Sequence, residues 1–312
     1  MNNKSLISAV VAPIQRRSFP WGAPSWPGGV QREPEPDTLG VNYDTSWSRK
    51  YPARLARAAL LDWVSAPAVK AIAPPRVSGE EFLSSLESPV IFAPNHASHI
   101  DTVILLTSLP PRFRHRCVVA AGADYFFDKR FKAHLWSLTT ATIPIERNKV
   151  NRQSAQLASS MLEEGWNLII YSEGGRSPDG WAQPFRGGAA YLSSRTGAPV
   201  VPVYLEGTRN VLAKNSKGLR HSATRVVFGK PLVPQSDENT RRFSSRIEAA
   251  VTELADATAT DWWSARKRSA SRTSPSMTGP QAPPWRRSWE LERRAASGKP
   301  KTKWTGTKVT GH

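Results

Sequence analysis

Cysteine is almost absent. Cys117 is the only one in 312 residues, so no disulfide forms within the chain, and a reducing compartment suits it. It sits in an apolar run, Cys117 to Ala121, with no paired motif, and reads as a core thiol rather than a nucleophile. Long apolar stretches are lacking too: none approaches the roughly 20 residues that a membrane-spanning helix needs. Leu6 to Ile14 is apolar but short, follows one Lys and shows no convincing cleavage site, so it is not read as a signal peptide. Gly-x-Ser-x-Gly does not occur, and a serine acyl-enzyme is not indicated. His99, His115, His134 and His221 are scattered, each read as a surface or satisfied histidine, and neither metal nor cofactor is expected. Acidic residues are scarce: 25 against 43 Lys and Arg give +18. From Trp262 onward there are 12 basic and 2 acidic residues, which puts +10 in the C-terminal segment and +8 in the rest. Such a chain wants anionic partners: lipid headgroups, phosphorylated substrates or nucleic acid.

What is present is an alternation of short apolar runs with helical patterns. Residues 1–50 are rich in Pro and Gly without a sustained period and read as a disordered leader. Residues 51–74 make a helical pattern with Leu55, Ala59 and Trp63 on one side. Arg54, Arg57 and Lys70 would suit a membrane interface, and docking on the domain is the other reading. Ser78-x-x-Glu81 reads as the cap of a short helix. Strands follow at Val90–Ala93, from Cys117, and at Ala141–Arg147, Trp166–Tyr171, Val200–Leu205 and Arg225–Phe228. Helices lie between them at Thr102–Leu109, Asn151–Glu164 and Gly187–Thr196, and a last one covers Asp237–Thr258. Lys129–Trp136 is basic and aromatic together, readable as a membrane-dipping surface or as core. The alternation predicts an α/β layered domain over about 75–260. Residues 261–312 read as a basic, Trp-containing tail without a core, able to lie on an anionic bilayer or stack on nucleic acid.

The chemistry begins at Asn95-His96-Ala97-Ser98-His99-Ile100-Asp101, at a strand-to-helix switch where open α/β sheets place ligands. Five residues of continuous helix would turn His96 and Asp101 about 140° apart. They meet only if His96 lies in the loop and Asp101 in the helix's first turn. A carboxylate on one imidazole nitrogen then fixes the tautomer and leaves the other as a base. Ser98-x-x-Asp101 is equally a capping box that needs no catalysis.

Asn95-His96-x-x-x-x-Asp101 resembles the first sequence block of the glycerolipid acyltransferases of the lysophosphatidic acid acyltransferase type. Three more blocks follow in that family's order: Ile145-Glu146-Arg147, Glu173-Gly174-Gly175-Arg176-Ser177, and Val200-Val201-Pro202-Val203. The third usually reads Phe-Pro-Glu-Gly-Thr-Arg-Ser, so this chain departs at Tyr171, Ser172 and Gly175. Glu206-Gly207-Thr208-Arg209 matches those letters better, but it follows the Pro-containing strand. Phe185-x-Gly187 lies behind Glu173, as it should behind the third block, and the block is assigned to Glu173. The resemblance covers about 90–231. It implies a single layered α/β domain with a mixed central sheet flanked by helices, and transfer of a fatty acyl group from acyl-CoA or acyl carrier protein to 1-acylglycerol-3-phosphate. His96 would be the base and Asp101 its orienting partner. Arg147 and Arg176 would bind the acceptor's phosphate, with Gly174 and Gly175 letting backbone N–H groups approach it. Glu173 would hold an acceptor hydroxyl or brace an Arg. The implied setting is peripheral, on the cytoplasmic face of an anionic membrane, with lysophospholipid and thioester donor as partners and no nucleic acid. Glycerol-3-phosphate or another lysolipid is the alternative acceptor, and a non-catalytic membrane- or nucleic-acid-binding protein the alternative class.

Overall fold

The computed structural model describes residues 39–147, 152–213 and 218–297. The first 38 residues of the expected leader and the last 15 of the tail lie outside them. Seven strands form one sheet: β1 (Pro75–Ser78), β2 (Ile91–Pro94), β3 (Cys117–Gly122), β4 (Thr142–Ile145), β5 (Asn167–Ile170), β6 (Val200–Glu206) and β7 (Thr224–Phe228). Their order is β1-β7-β6-β2-β5-β3-β4. The segment from β6 through β2, β5 and β3 to β4 is parallel, while β7 runs antiparallel to β6 and β1 parallel to β7. The sheet is therefore mixed.

The strand sequences show why both faces are covered. Successive side chains point to opposite faces. Phe92, Val119, Ile169 and Val201 enter one core, with Ile104 and Leu105 of helix α3 (Asp101–Ser108). Ile91, Val118, Leu168 and Val200 enter the other. There they meet Ala158, Met161 and Leu162 of α5 (Arg152–Glu163), Ala189 and Leu192 of α6 (Gly188–Thr196), and Phe243 and Ile247 of α7 (Thr240–Ala259). Apolar runs without alternation are what strands buried on both sides require. Pro202 fits inside central β6 for a local reason. Its carbonyl accepts from Gly229 N–H, so its missing N–H also faces β7, just where that ladder ends.

Three expectations are corrected. Ser78 ends β1, held by its pairing with Val227, and caps nothing; only a single turn, Glu81–Ser84, follows. The 51–74 pattern is not one regular helix: α1 (Tyr51–Ala59) passes through a π-helical stretch, Leu60–Ser65, into α2 (Ala66–Ile72). Its Leu55 and Trp63 are 52% and 82% exposed. Arg57, expected at an interface, is buried and donates to the carbonyls of Ser48 and Leu138. Burial lowers its pKa to about 10, so it remains a cation at neutral pH. Thirdly, the segment after Asp261 has its own packing. Helices α8 (Trp262–Ala270) and α9 (Pro284–Ser297) are docked on the domain, because Arg268 pairs with buried Asp256 and Arg287 with Asp179. The end of the leader is also built in: Tyr43 is buried beside Phe127, and its hydroxyl meets His134 Nδ1 at 3.0 Å. The basic aromatic helix α4 (Arg130–Thr140) divides the two readings given to it. Phe131 is 78% exposed, whereas Trp136 lines the interior cavity described below.

Candidate active site

His96 follows β2 directly. Asn95 fixes that exit: its amide donates to Leu205 O and its carbonyl accepts from Leu205 N–H, tying the end of β2 to β6. The imidazole is 14% exposed, and the Asp101 side chain is fully buried at the start of α3. His96 Nδ1 stands 2.9 Å from Asp101 Oδ2. A carboxylate oxygen accepts only, so Nδ1 carries the proton and Nε2 keeps its lone pair. The same oxygen accepts from Ala97 N–H and Ser98 N–H, each at 2.8 Å. Asp101 thus orients the imidazole and ties down the turn before α3, while the helix's own N-cap, Ile100, makes no side-chain bond. Asp101 Oδ1 is buried and without a partner among the described residues.

The third block wraps around His96. Glu173 is buried, and its Oε1 accepts from His96 N–H at 2.7 Å while Oε2 accepts from Gln183 N–H at 2.8 Å. Ser177 N–H donates to His96 O. The backbone of His96 is therefore held at both its N–H and its carbonyl. Each Glu173 oxygen thus accepts one backbone N–H, and no ion pair with an Arg is formed among the described residues. Burial outweighs those two bonds and pushes its pKa up to about 7. The Tyr171 ring stacks on His96 with centroids 4.0 Å apart, and its hydroxyl meets Thr102 Oγ1 at 2.9 Å. Burial raises that phenol well above its ordinary value.

Arg147 sits after β4, its Nε and Nη2 bonded to Asp124 at 2.9 and 2.6 Å. Nη1, which that pair does not use, faces Gly175: a Cβ there would stand 3.8 Å from it. Gly174 has φ +71° and its N–H is spent on Tyr171 O. Its small size serves a different neighbour, since a Cβ would meet Arg186 Nε at 2.7 Å. Arg186 also donates to Arg147 O, linking the second and third blocks. Arg176 lies over the Tyr125 ring, 5.8 Å from its centroid, with Nη1 buried and without a partner among the described residues. A buried guanidinium nitrogen left unpaired is a place for an anion's oxygen.

A cavity of about 820 Å³ opens beside this constellation. His96, Arg147, Gly174 and Gly175 line its polar end, and Val119, Ile145, Ala158, Ile170 and Leu192 its apolar part. Asp101, Glu173 and Arg176 stand behind or beside that wall. His99 is also on it, half-buried with Nε2 3.3 Å from Tyr125 OH, the satisfied histidine of the two readings given to it. Burial, with Arg176 nearby, lowers its pKa to about 4, so it is neutral at pH 7. The second Glu-Gly-Thr-Arg stretch is elsewhere: Glu206 ends β6 and faces Arg225 at 3.5 Å. Sequence reasoning missed Asp124, Thr102, Gln183 and Arg186, whose roles depend on contacts across the fold.

Comparisons with known proteins bear on the segment that carries these residues and on its fold. Residues 74–206 match the Acyltransferase family model. A chloroplastic 1-acyl-sn-glycerol-3-phosphate acyltransferase of Brassica napus is 29% identical over 165 residues, covering 50% of this chain and 44% of the relative. The Arabidopsis thaliana LPAT1 enzyme is 30% identical, covering 50% and 43%. This chain thus spans less than half the length of these two relatives. PlsC, the 1-acyl-sn-glycerophosphate acyltransferase of Thermotoga maritima, has a similar fold, with TM-score 0.52 and 19% identity over 68% of this chain and 82% of that one. Over residues 74–206 this chain is thus similar to the acyltransferase family, with four blocks in order and His96, Asp101 and Glu173 joined by hydrogen bonds just beyond β2.

Proposed function

We propose that the protein transfers a fatty acyl group from a thioester, acyl-CoA or acyl carrier protein, to the free hydroxyl of 1-acylglycerol-3-phosphate, giving phosphatidic acid. The observation that carries this reading is the His96 Nδ1–Asp101 Oδ2 pair at the mouth of an apolar cavity. Nε2 takes the acceptor's hydroxyl proton as its oxygen attacks the thioester carbonyl. The tetrahedral intermediate then collapses, the C–S bond breaks, and the departing sulfur receives the proton from His96. General base catalysis of this kind contributes on the order of 10²–10⁴-fold. Arg147, pre-oriented by Asp124, and Arg176, with its unpaired Nη1, meet the acceptor phosphate. The apolar part of the cavity takes the acyl chain.

The setting proposed is the cytoplasmic face of an anionic membrane, where the protein is peripheral. Among the described residues no helix is long and apolar enough to cross a membrane. The exposed Leu55, Trp63 and Phe131 offer apolar contacts for such a surface. The test pairs each donor with each acceptor and identifies the lipid formed. Phosphatidic acid from lysophosphatidate is the expected product. Acylation of glycerol-3-phosphate alone would keep the base and move the acceptor, and no product with any pair would refute the reading.

A further inference from the structure

Four indoles stand exposed on the two C-terminal helices: Trp262 and Trp263 at 61% and 69%, Trp285 and Trp289 at 70% and 54%. They lie outside the matched acyltransferase segment. Their exposure is enforced from below. In α8, Asp261 caps the helix through Ser264 N–H, Ala265 is buried, and Arg268 grips Asp256 at 2.7 and 2.8 Å. These contacts fix the inner face, and Trp262, Trp263, Arg266 and Lys267 share the outer arc of about 140°. In α9, Arg287 binds Asp179 at 2.7 Å, its carbonyl accepts from Trp181 Nε1–H at 3.0 Å, and Leu291 packs over Gly180. Trp285 and Trp289, four residues apart, face away from that seam, with Arg293 over the Trp289 ring at 5.5 Å. Glu290 and Glu292 are the only acids after Asp261.

We propose that α8 and α9 form a docking surface for an anionic lipid bilayer, with α9 clamped to the loop that follows Arg176 and α8 to α7. Large apolar groups left exposed beside cations, on both helices, mark an interaction site. Indoles settle at headgroup depth, and Lys and Arg beside them draw anionic lipid. The exposed Arg266, Lys267, Arg272, Arg286 and Arg293 supply that attraction. The clamp gives the surface its place. Gln183, four residues beyond Asp179, holds Glu173, which holds His96, so the bilayer lies against the loop bordering the site. Vesicle binding is measured without turnover, so the surface and the acyl-transfer reading stand or fall separately.

The test uses the full chain with vesicles of phosphatidylcholine alone or containing phosphatidylglycerol, read by co-sedimentation. Wild type binds the anionic vesicles at least about tenfold better than the zwitterionic ones. Trp262→Ser/Trp263→Ser/Trp285→Ser/Trp289→Ser, folded by circular dichroism, loses about tenfold or more of that binding. Arg266→Glu/Lys267→Glu, with all indoles intact, loses several-fold on anionic vesicles only. Equal binding to both vesicle types, undiminished binding by the four-indole variant, or single-stranded DNA binding with vesicles ignored would each overturn the proposal.

Discussion

At the residue scale, the site is built by side chains that hold one backbone position. Glu173 accepts from His96 N–H, and Asp101 accepts from its ring. Glu173 leaves a pH signature. Its folded pKa near 7 lies above the ordinary 4.5, so the folded protein binds this proton more tightly than the unfolded chain. The resulting stability is full below about pH 4.5 and is lost as pH rises through about 7, by about 3 kcal/mol at most. Denaturant midpoints across that window should fall in wild type relative to Glu173→Gln, and parallel curves would contradict the assignment. Tyr171→Phe keeps the ring against His96 and loses only the bond to Thr102. It should cost about 1 kcal/mol of stability and leave turnover within about twofold. Cys117 is buried with its thiol pushed up to about 12, so a thiol reagent should label it only on unfolding. The His96–Asp101 pair was legible because both members sit within five residues. The role of Glu173 was not, since its partner is a main-chain group 77 residues away.

At the scale of elements, period and punctuation carried most of the information. The buried strands announced themselves by apolar runs, and α6 by its closing Gly197, which adopts φ +74°. Ser78 misled because a capping motif and a strand end use the same residue types, and pairing with β7 decided between them. The C-terminal helices were illegible for another reason. Their anchors, Asp256 and Asp179, belong to distant segments, and without those ion pairs the sequence shows only charge and tryptophan. The α9 clamp should be felt at the site. Arg287→Ala breaks the tie to Asp179 and loosens the loop holding Glu173, so kcat should fall several-fold while KM for a short soluble acceptor changes little. Arg287→Lys should restore part of it. Equal kcat in all three forms would detach α9 from the chemistry.

At the scale of the whole molecule, the charge, the cavity and the His96–Asp101 pair are what the proposed substrate, an anionic amphiphile, requires. A net charge of +18 attracts anionic surfaces, and salt screens that attraction. Turnover on anionic vesicles should therefore drop as ionic strength rises from about 0.05 to 0.5 M, while turnover on a short-chain soluble acceptor changes far less. The measurement that tests the central claim most directly is thioester release by purified protein with lysophosphatidate, wild type beside His96→Ala. The account predicts turnover in wild type and a loss of at least about 10²-fold in a variant that stays folded. A folded His96→Ala protein releasing thiol at the wild-type rate would contradict it.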